Sequence, residues 1–183
     1  GEINSFFGWS VSLSSNGSIV AIGSTGGDES YVEIYEKNNE GNWTIIGTRL
    51  EDDTTSSYFG IEVSLSSNGL VVAIGSSGFY GTNGKVEIYQ KNEDGWGKIG
   101  NRIESNYDEN FGASVSLSSN GSIVAIGSSV YVQIYENKGS DWIKVGNTIQ
   151  GSGVSLSSNG LMIATSIGRY DNNRGIFLIY KYN

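Results

Sequence analysis

The chain has 183 residues, a net charge of −8, 27 glycines and no proline, cysteine or histidine. The acidic balance argues against a nucleic-acid partner and against electrostatic docking on anionic lipid. The missing residue types exclude a disulfide framework, Ser-His-Asp or Cys-His nucleophilic schemes, and ordinary zinc or haem sites.

No apolar run reaches the ~18 residues of a membrane-spanning helix. Turn signals at regular intervals predict a folded, β-rich chain rather than a disordered one. The first residue is Gly1 and no signal peptide is visible, so the chain is read as a processed product or a window from a longer polypeptide.

In chain order, residues 1–6 stand where the tail of a strand from a preceding unit belongs. Phe7-Gly8 then opens the first unit, followed by VSLSSNG at Val11–Gly17, which returns letter for letter at Val63–Gly69, Val115–Gly121 and Val154–Gly160. VSLS alternates apolar and polar residues, the mark of a half-buried strand with Val11 and Leu13 facing a core. The Asn-Gly step predicts a tight hairpin turn with both residues at positive φ. An apolar run follows (Ile19–Gly23, Val71–Gly75, Ile123–Gly127, Met162–Ser166) and predicts a strand covered on both faces.

After a variable Gly/Ser-rich loop comes a third strand, at Tyr31–Tyr35, Lys85–Tyr89, Tyr131–Tyr135 and Ile176–Tyr180. Its tyrosines are expected to form outward cross-strand ladders. A polar turn leads to a fourth strand with Trp, Gly and an aliphatic residue at fixed offsets: Trp43/Gly47/Leu50, Trp96/Gly100/Ile103 and Trp142/Gly146/Ile149. These tryptophans are expected to anchor one unit on the next, and Trp9, which breaks the pattern, to be partly buried or, if exposed at a rim, to stack on a sugar ring. The units span 7–58, 59–110, 111–149 and 150–183, and the last lacks a Trp-bearing strand. Four short antiparallel strands per unit are the pattern of a propeller blade. The predicted fold is all-β, a β-propeller-type array of four-stranded antiparallel blades, with about four repeats and the last incomplete.

The pattern FGxSVSLSxNGxxVAIG…VxIYxxxxxxWxxxG resembles the FG-GAP-type propeller repeats of surface proteins, including tandem arrays of algae and protists, over nearly the whole chain. The resemblance implies an extracellular or cell-surface location. FG-GAP blades often hold Ca²⁺ in an Asp-rich loop, but the corresponding turn here is SSNG, without a carboxylate, so no metal and no other cofactor is expected.

The remaining chemistry-bearing residues are carboxylates in predicted loops: Asp28-Glu29, Glu51-Asp52-Asp53, Glu93-Asp94 and Asp108-Glu109. A glycosidase needs only two carboxylates at a suitable separation, but these change position from unit to unit. Asn16, Asn42 and Asn120 lie in N-glycosylation sequons on predicted turns. The incomplete last unit predicts an assembly edge at Ile176, Phe177, Leu178, Ile179 and Tyr180, with Leu178 on the water-facing side where the other units carry Glu33, Glu87 and Gln133. The expected function is a non-enzymatic structural or adhesive module that self-associates or binds other surface proteins, assembling head to tail into fibres by strand complementation. A lectin-like propeller that binds glycans is the alternative, and a glycosidase the third reading.

Overall fold

The structure, a computed structural model, describes residues 6–26, 30–52, 57–78, 82–106, 108, 110–168 and 175–182. Its strands form four consecutive antiparallel sheets, the blades of a β-propeller array. Blade 1 contains β1 (Phe7–Leu13), β2 (Ile19–Ser24), β3 (Tyr31–Lys37), β4 (Trp43–Ile45) and β5 (Leu50–Glu51). Blade 2 contains β6 (Ser57–Leu65), β7 (Val71–Gly78), β8 (Lys85–Asn92), β9 (Gly95–Lys98) and β10 (Ile103–Glu104). In blade 3 these become β11 (Ser114–Leu117), β12 (Ile123–Gly127), β13 (Tyr131–Asn137) and β14 (Trp142–Gln150). Blade 4 has three strands, β15 (Val154–Leu156), β16 (Met162–Ile167) and β17 (Ile176–Lys181).

Two details depart from the expected hairpins. In blades 1 and 2 the fourth strand is split, its halves β4 and β5 both pairing with β3, and β9 and β10 both with β8. The break falls at Gly47 and Gly100, at φ 74° and 71°, where the tryptophan of the next blade lies against the backbone. The Asn-Gly turn is also not a two-residue turn with paired positive φ. Only the glycines (Gly17, Gly69, Gly121, Gly160) have positive φ, and Gly17 N–H donates to Ser14 O across a turn centred on Ser15 and Asn16. Asn16 instead uses its side chain: Oδ1 accepts from Ser18 N–H at 3.0 Å and from Ser14 Oγ at 2.8 Å. The asparagine is a side-chain staple and the glycine alone provides the left-handed step.

The apolar core lies between blades rather than within them. Ile19, Ala21, Val32 and Ile34 of blade 1 pack on Phe59, Val63, Leu65, Val72 and Ile74 of blade 2. Blades 2 and 3 repeat this contact with Val71, Ala73, Val86 and Ile88 against Phe111, Val115, Leu117, Val124 and Ile126. A smaller cluster joins Val132 and Ile134 to Ile163, Val154 and Leu156.

Each blade therefore has two different faces. The forward face, turned to the next blade, carries Ile/Val-x-Ala-x-Gly of the second strand and Val-x-Ile of the third. The rear face, turned to the preceding blade, carries Val-x-Leu of the first strand and the Tyr-x-Glu-x-Tyr positions of the third. The tyrosines accordingly turn inward rather than out: Tyr31 and Tyr89 are buried, and each Tyr35, Tyr89 and Tyr135 hydroxyl donates to the Glu33, Glu87 or Gln133 two residues before it.

Gly23, Gly75 and Gly127 let the blades close up. A Cβ there would stand 2.1, 2.0 and 1.9 Å from the carbonyl oxygens of Gly60, Gly112 and Ser152 on the next blade, inside any tolerable contact. Three of the turn glycines, Gly69, Gly121 and Gly160, are also hemmed in by the preceding blade: a Cβ on Gly69 would lie 2.8 Å from Ile19, whereas Gly17 has nothing closer than 4.0 Å. Gly69→Val is expected to cost about 2–4 kcal/mol from left-handed strain and overpacking, read as a drop in melting temperature. Gly139→Asn, at φ 94° with nothing within 4 Å, should cost far less.

Candidate functional site

The propeller's end faces are the surfaces that the repeats leave uncovered. On the rear of blade 1, Val11 is 65% and Leu13 59% exposed, whereas their counterparts Val63 and Leu65 are 3% and 9% exposed. Phe7, beside them, is 36% exposed, while Phe59 and Phe111 are fully buried. The forward face of blade 4 is the complement. Phe177 is 74% and Ile179 60% exposed, where Val32, Ile34, Val86 and Ile88 are buried.

This relocates the predicted assembly residues. Ile176, Leu178 and Tyr180 are half-buried on the side turned to blade 3, and Phe177 and Ile179 point away from the molecule. Leu178 is not the water-facing residue, because its position is the rear-face position at which Glu87 is 1% exposed. Val11 and Leu13, expected in a core, lie on the surface because no blade covers them among the described residues.

The tryptophans fall into two groups. Trp142 is buried against Gly100 and donates from Nε1 to Ile99 O at 3.0 Å, and Trp96 packs beside Gly47. Trp43, the same residue in blade 1, is 43% exposed for want of a preceding glycine. Trp9 is 59% exposed, touched edge-on by Phe6. The sequon residues Asn16, Asn42 and Asn120 lie on exposed turns.

Among the described residues the predicted loop carboxylates do not gather into one site. Asp28, Glu29, Asp53 and Glu109 lie outside the described residues. Asp52 meets Lys85 at 2.5 Å, both side chains about 95% buried, and Asp108 Oδ1 caps its own turn through Asn110 N–H. Among the described residues no three His, Cys, Asp or Glu side chains assemble as a metal site, and no helix is long and apolar enough to cross a membrane.

The rear-face acids, which strand alternation alone puts in water, are neutralised internally. Glu33 accepts from Arg49 at 3.3 Å, and Glu87 meets Lys98 at 2.7 Å and Arg102 at 3.0 Å. In blade 3 the Glu/Arg pair changes together, to Gln133 and Thr148, so no buried carboxylate is left unpaired, and Lys144, at the place of Lys98, donates to Thr148 instead. That joint replacement is visible in the sequence once Arg49, Arg102 and Thr148 are aligned through their preceding glycines. The Glu33 hydrogen bond, then burial, pushes the Tyr35 hydroxyl up to about 12.

Glu62 differs. It holds the position of Ser10 and Ser114, both of which touch the next blade. Burial pushes its carboxyl above the ordinary glutamate range.

No family model matches the chain, and no curated protein matches it. Solved structures do. It is similar to hydrazine synthase of Kuenenia stuttgartiensis at 15% identity, with 92% of this chain on 57% of that one and a TM-score of 0.62. It is similar to the periplasmic gluconolactonase PpgL of Pseudomonas aeruginosa at 14% identity (95% on 53%, TM-score 0.61). The β-propeller domain of Cps50 (Swd1) from Myceliophteria thermophila gives 10% identity (95% on 53%, TM-score 0.62). At such identities the likeness concerns the fold alone. The chain spans about half the length of these structures.

Two variants test the polar sites. Lys85→Met leaves Asp52 buried without this cation and is expected to destabilise the fold by about 3–5 kcal/mol in denaturant titration. For Glu62, a folded carboxyl with a raised pKa holds its proton when the unfolded one has lost it. Its burial penalty is therefore absent at low pH and grows as pH rises from the ordinary glutamate value through the folded one. Glu62→Gln should raise the melting temperature at pH 7 and leave it unchanged at pH 3.5.

Proposed function

We propose that this chain is a non-enzymatic structural or adhesive β-propeller module of the extracellular space or cell surface, of FG-GAP type, that works through its end faces. The observation that carries this reading is the exposure of Val11 and Leu13 on one side and of Phe177 and Ile179 on the other, at positions buried or partly buried in every internal interface. Apolar surface of this kind, bounded by polar turns, marks an interaction site. The exposed sequon turns at Asn16 and Asn120 suit a secreted glycoprotein.

The non-enzymatic part is supported by the acids. Glu33, Glu87 and Asp52 are committed to ion pairs that hold strands and blades together, rather than standing free in a shared cleft.

One observation favours glycan binding as a second reading. A cleft of about 620 Å³ lies beside β13, lined among others by Glu104, Asp108, Tyr131, Gln133 and Tyr135. Flat aromatic rings beside amide and carboxylate groups suit a sugar.

Negative-stain images together with a glycan array and a polysaccharide panel separate these readings. The structural reading expects particles joined through their end faces, separated by Ile179→Lys, with no glycan retained and no product released. Glycan retention lost in Tyr131→Ala would overturn it in favour of the lectin. Release of sugar lost in an acid-to-amide variant would overturn it in favour of a glycosidase.

A further inference from the structure

The internal interfaces show what the two end faces have in common. Besides the apolar contact, each interface carries two polar links that always run in the same direction. Ser15 N–H donates to Ser67 O, Ser67 N–H to Ser119 O, and Ser119 N–H to Ser158 O, at 2.8–2.9 Å. Among the described residues this series leaves Ser158 N–H without an acceptor on blade 4 and Ser15 O without a donor on blade 1.

The second link is made by side chains. Leu65 N–H donates to Ser12 Oγ at 2.9 Å, Leu117 N–H to Ser64 Oγ at 3.0 Å, and Leu156 N–H to Ser116 Oγ at 2.9 Å. It leaves Ser155 Oγ on blade 4 and Leu13 N–H on blade 1 in the equivalent places. The forward end thus offers the donor and acceptor that the rear end lacks, around an apolar patch on each.

We propose that two copies of this chain close head to tail, the forward face of each blade 4 seated on the rear face of the other's blade 1, into one ring. This rests on the reading that the end faces are the working surface, and it names their occupant as a second copy. Faces that differ and fit each other make a heterologous contact, which ends in a ring when the rotation closes. Closure with two copies is supported by the span of the four blades, which cover 57% and 53% of the length of two larger structures of the same fold. Two copies bring eight blades, within the roughly four to eight of known propellers.

The contact is looser than the internal ones at two positions. Ser166 occupies the place of Gly23, Gly75 and Gly127, so its Cβ holds the incoming Phe-Gly turn away. Lys181 stands where Glu36 does, and Glu36 pairs with Lys91 of the next blade at 3.2 Å. The residue corresponding to Lys91 in blade 1 is Lys37, a like charge for Lys181. The ring is therefore reversible, and Ser166→Gly and Lys181→Glu tighten it.

Sedimentation equilibrium across concentrations tests this. The expected result is a reversible species of twice the chain's 19.6 kDa. Val11→Asp and Ile179→Lys should each weaken it about a hundredfold, with unchanged circular dichroism. Mixing the two variants should restore the dimer, because one interface is then wild type and the other sets the introduced carboxylate against the introduced ammonium. A monomer at every concentration overturns the proposal, as does a dimer indifferent to both substitutions. Mass that grows without limit, yet falls with Ile179→Lys, overturns ring closure and leaves the end-face reading standing.

Discussion

A sheet with apolar residues on both faces is stable only between two other sheets, and the main features of this protein follow from that requirement. None of the blades has a core of its own. The buried side chains collect in three clusters, one at each contact between consecutive blades. Burial at these contacts is the dominant favourable term, and hydrogen bonds within each sheet set the register that makes burial possible. The close approach at Gly23, Gly75 and Gly127 belongs to the same requirement, since a single added carbon there would hold two blades apart.

The polar groups are arranged around that constraint. A carboxylate on the rear face is taken out of water by the preceding blade, and it survives because the fourth strand of its own blade brings a guanidinium to it. Blade 3 shows the alternative: an amide and a hydroxyl replace the pair, and no charge needs neutralising. Tyr31 lies on a rear face that no other described blade covers. Its ring is covered from within the blade by Phe7 and by the Arg49 guanidinium, 3.7 Å from the ring centroid.

Direction is the second consequence. Tryptophan follows glycine, the Ser N–H precedes the Ser carbonyl, and leucine follows serine, always from one blade to the next. Such an array has two unlike ends. The tryptophans display this most simply: the first, Trp43, is exposed and the third, Trp142, is buried, though the local pattern is the same.

The repeat, the strands and the four-blade grouping are all legible in the amino-acid order, because period-2 alternation and glycine turns are local properties of a chain. The exposed sequon turns are legible for the same reason. Local pattern misleads wherever the outcome depends on a neighbouring sheet. Alternation tells which residues share a face but not what covers that face, so it puts the tyrosines outward and Leu178 in water. Val11 and Val63 lie in identical heptapeptides, yet one is 65% exposed and the other 3%. Packing in three dimensions is what separates them, because burial is set by the adjacent blade, and a heptapeptide carries no information about whether that blade is there.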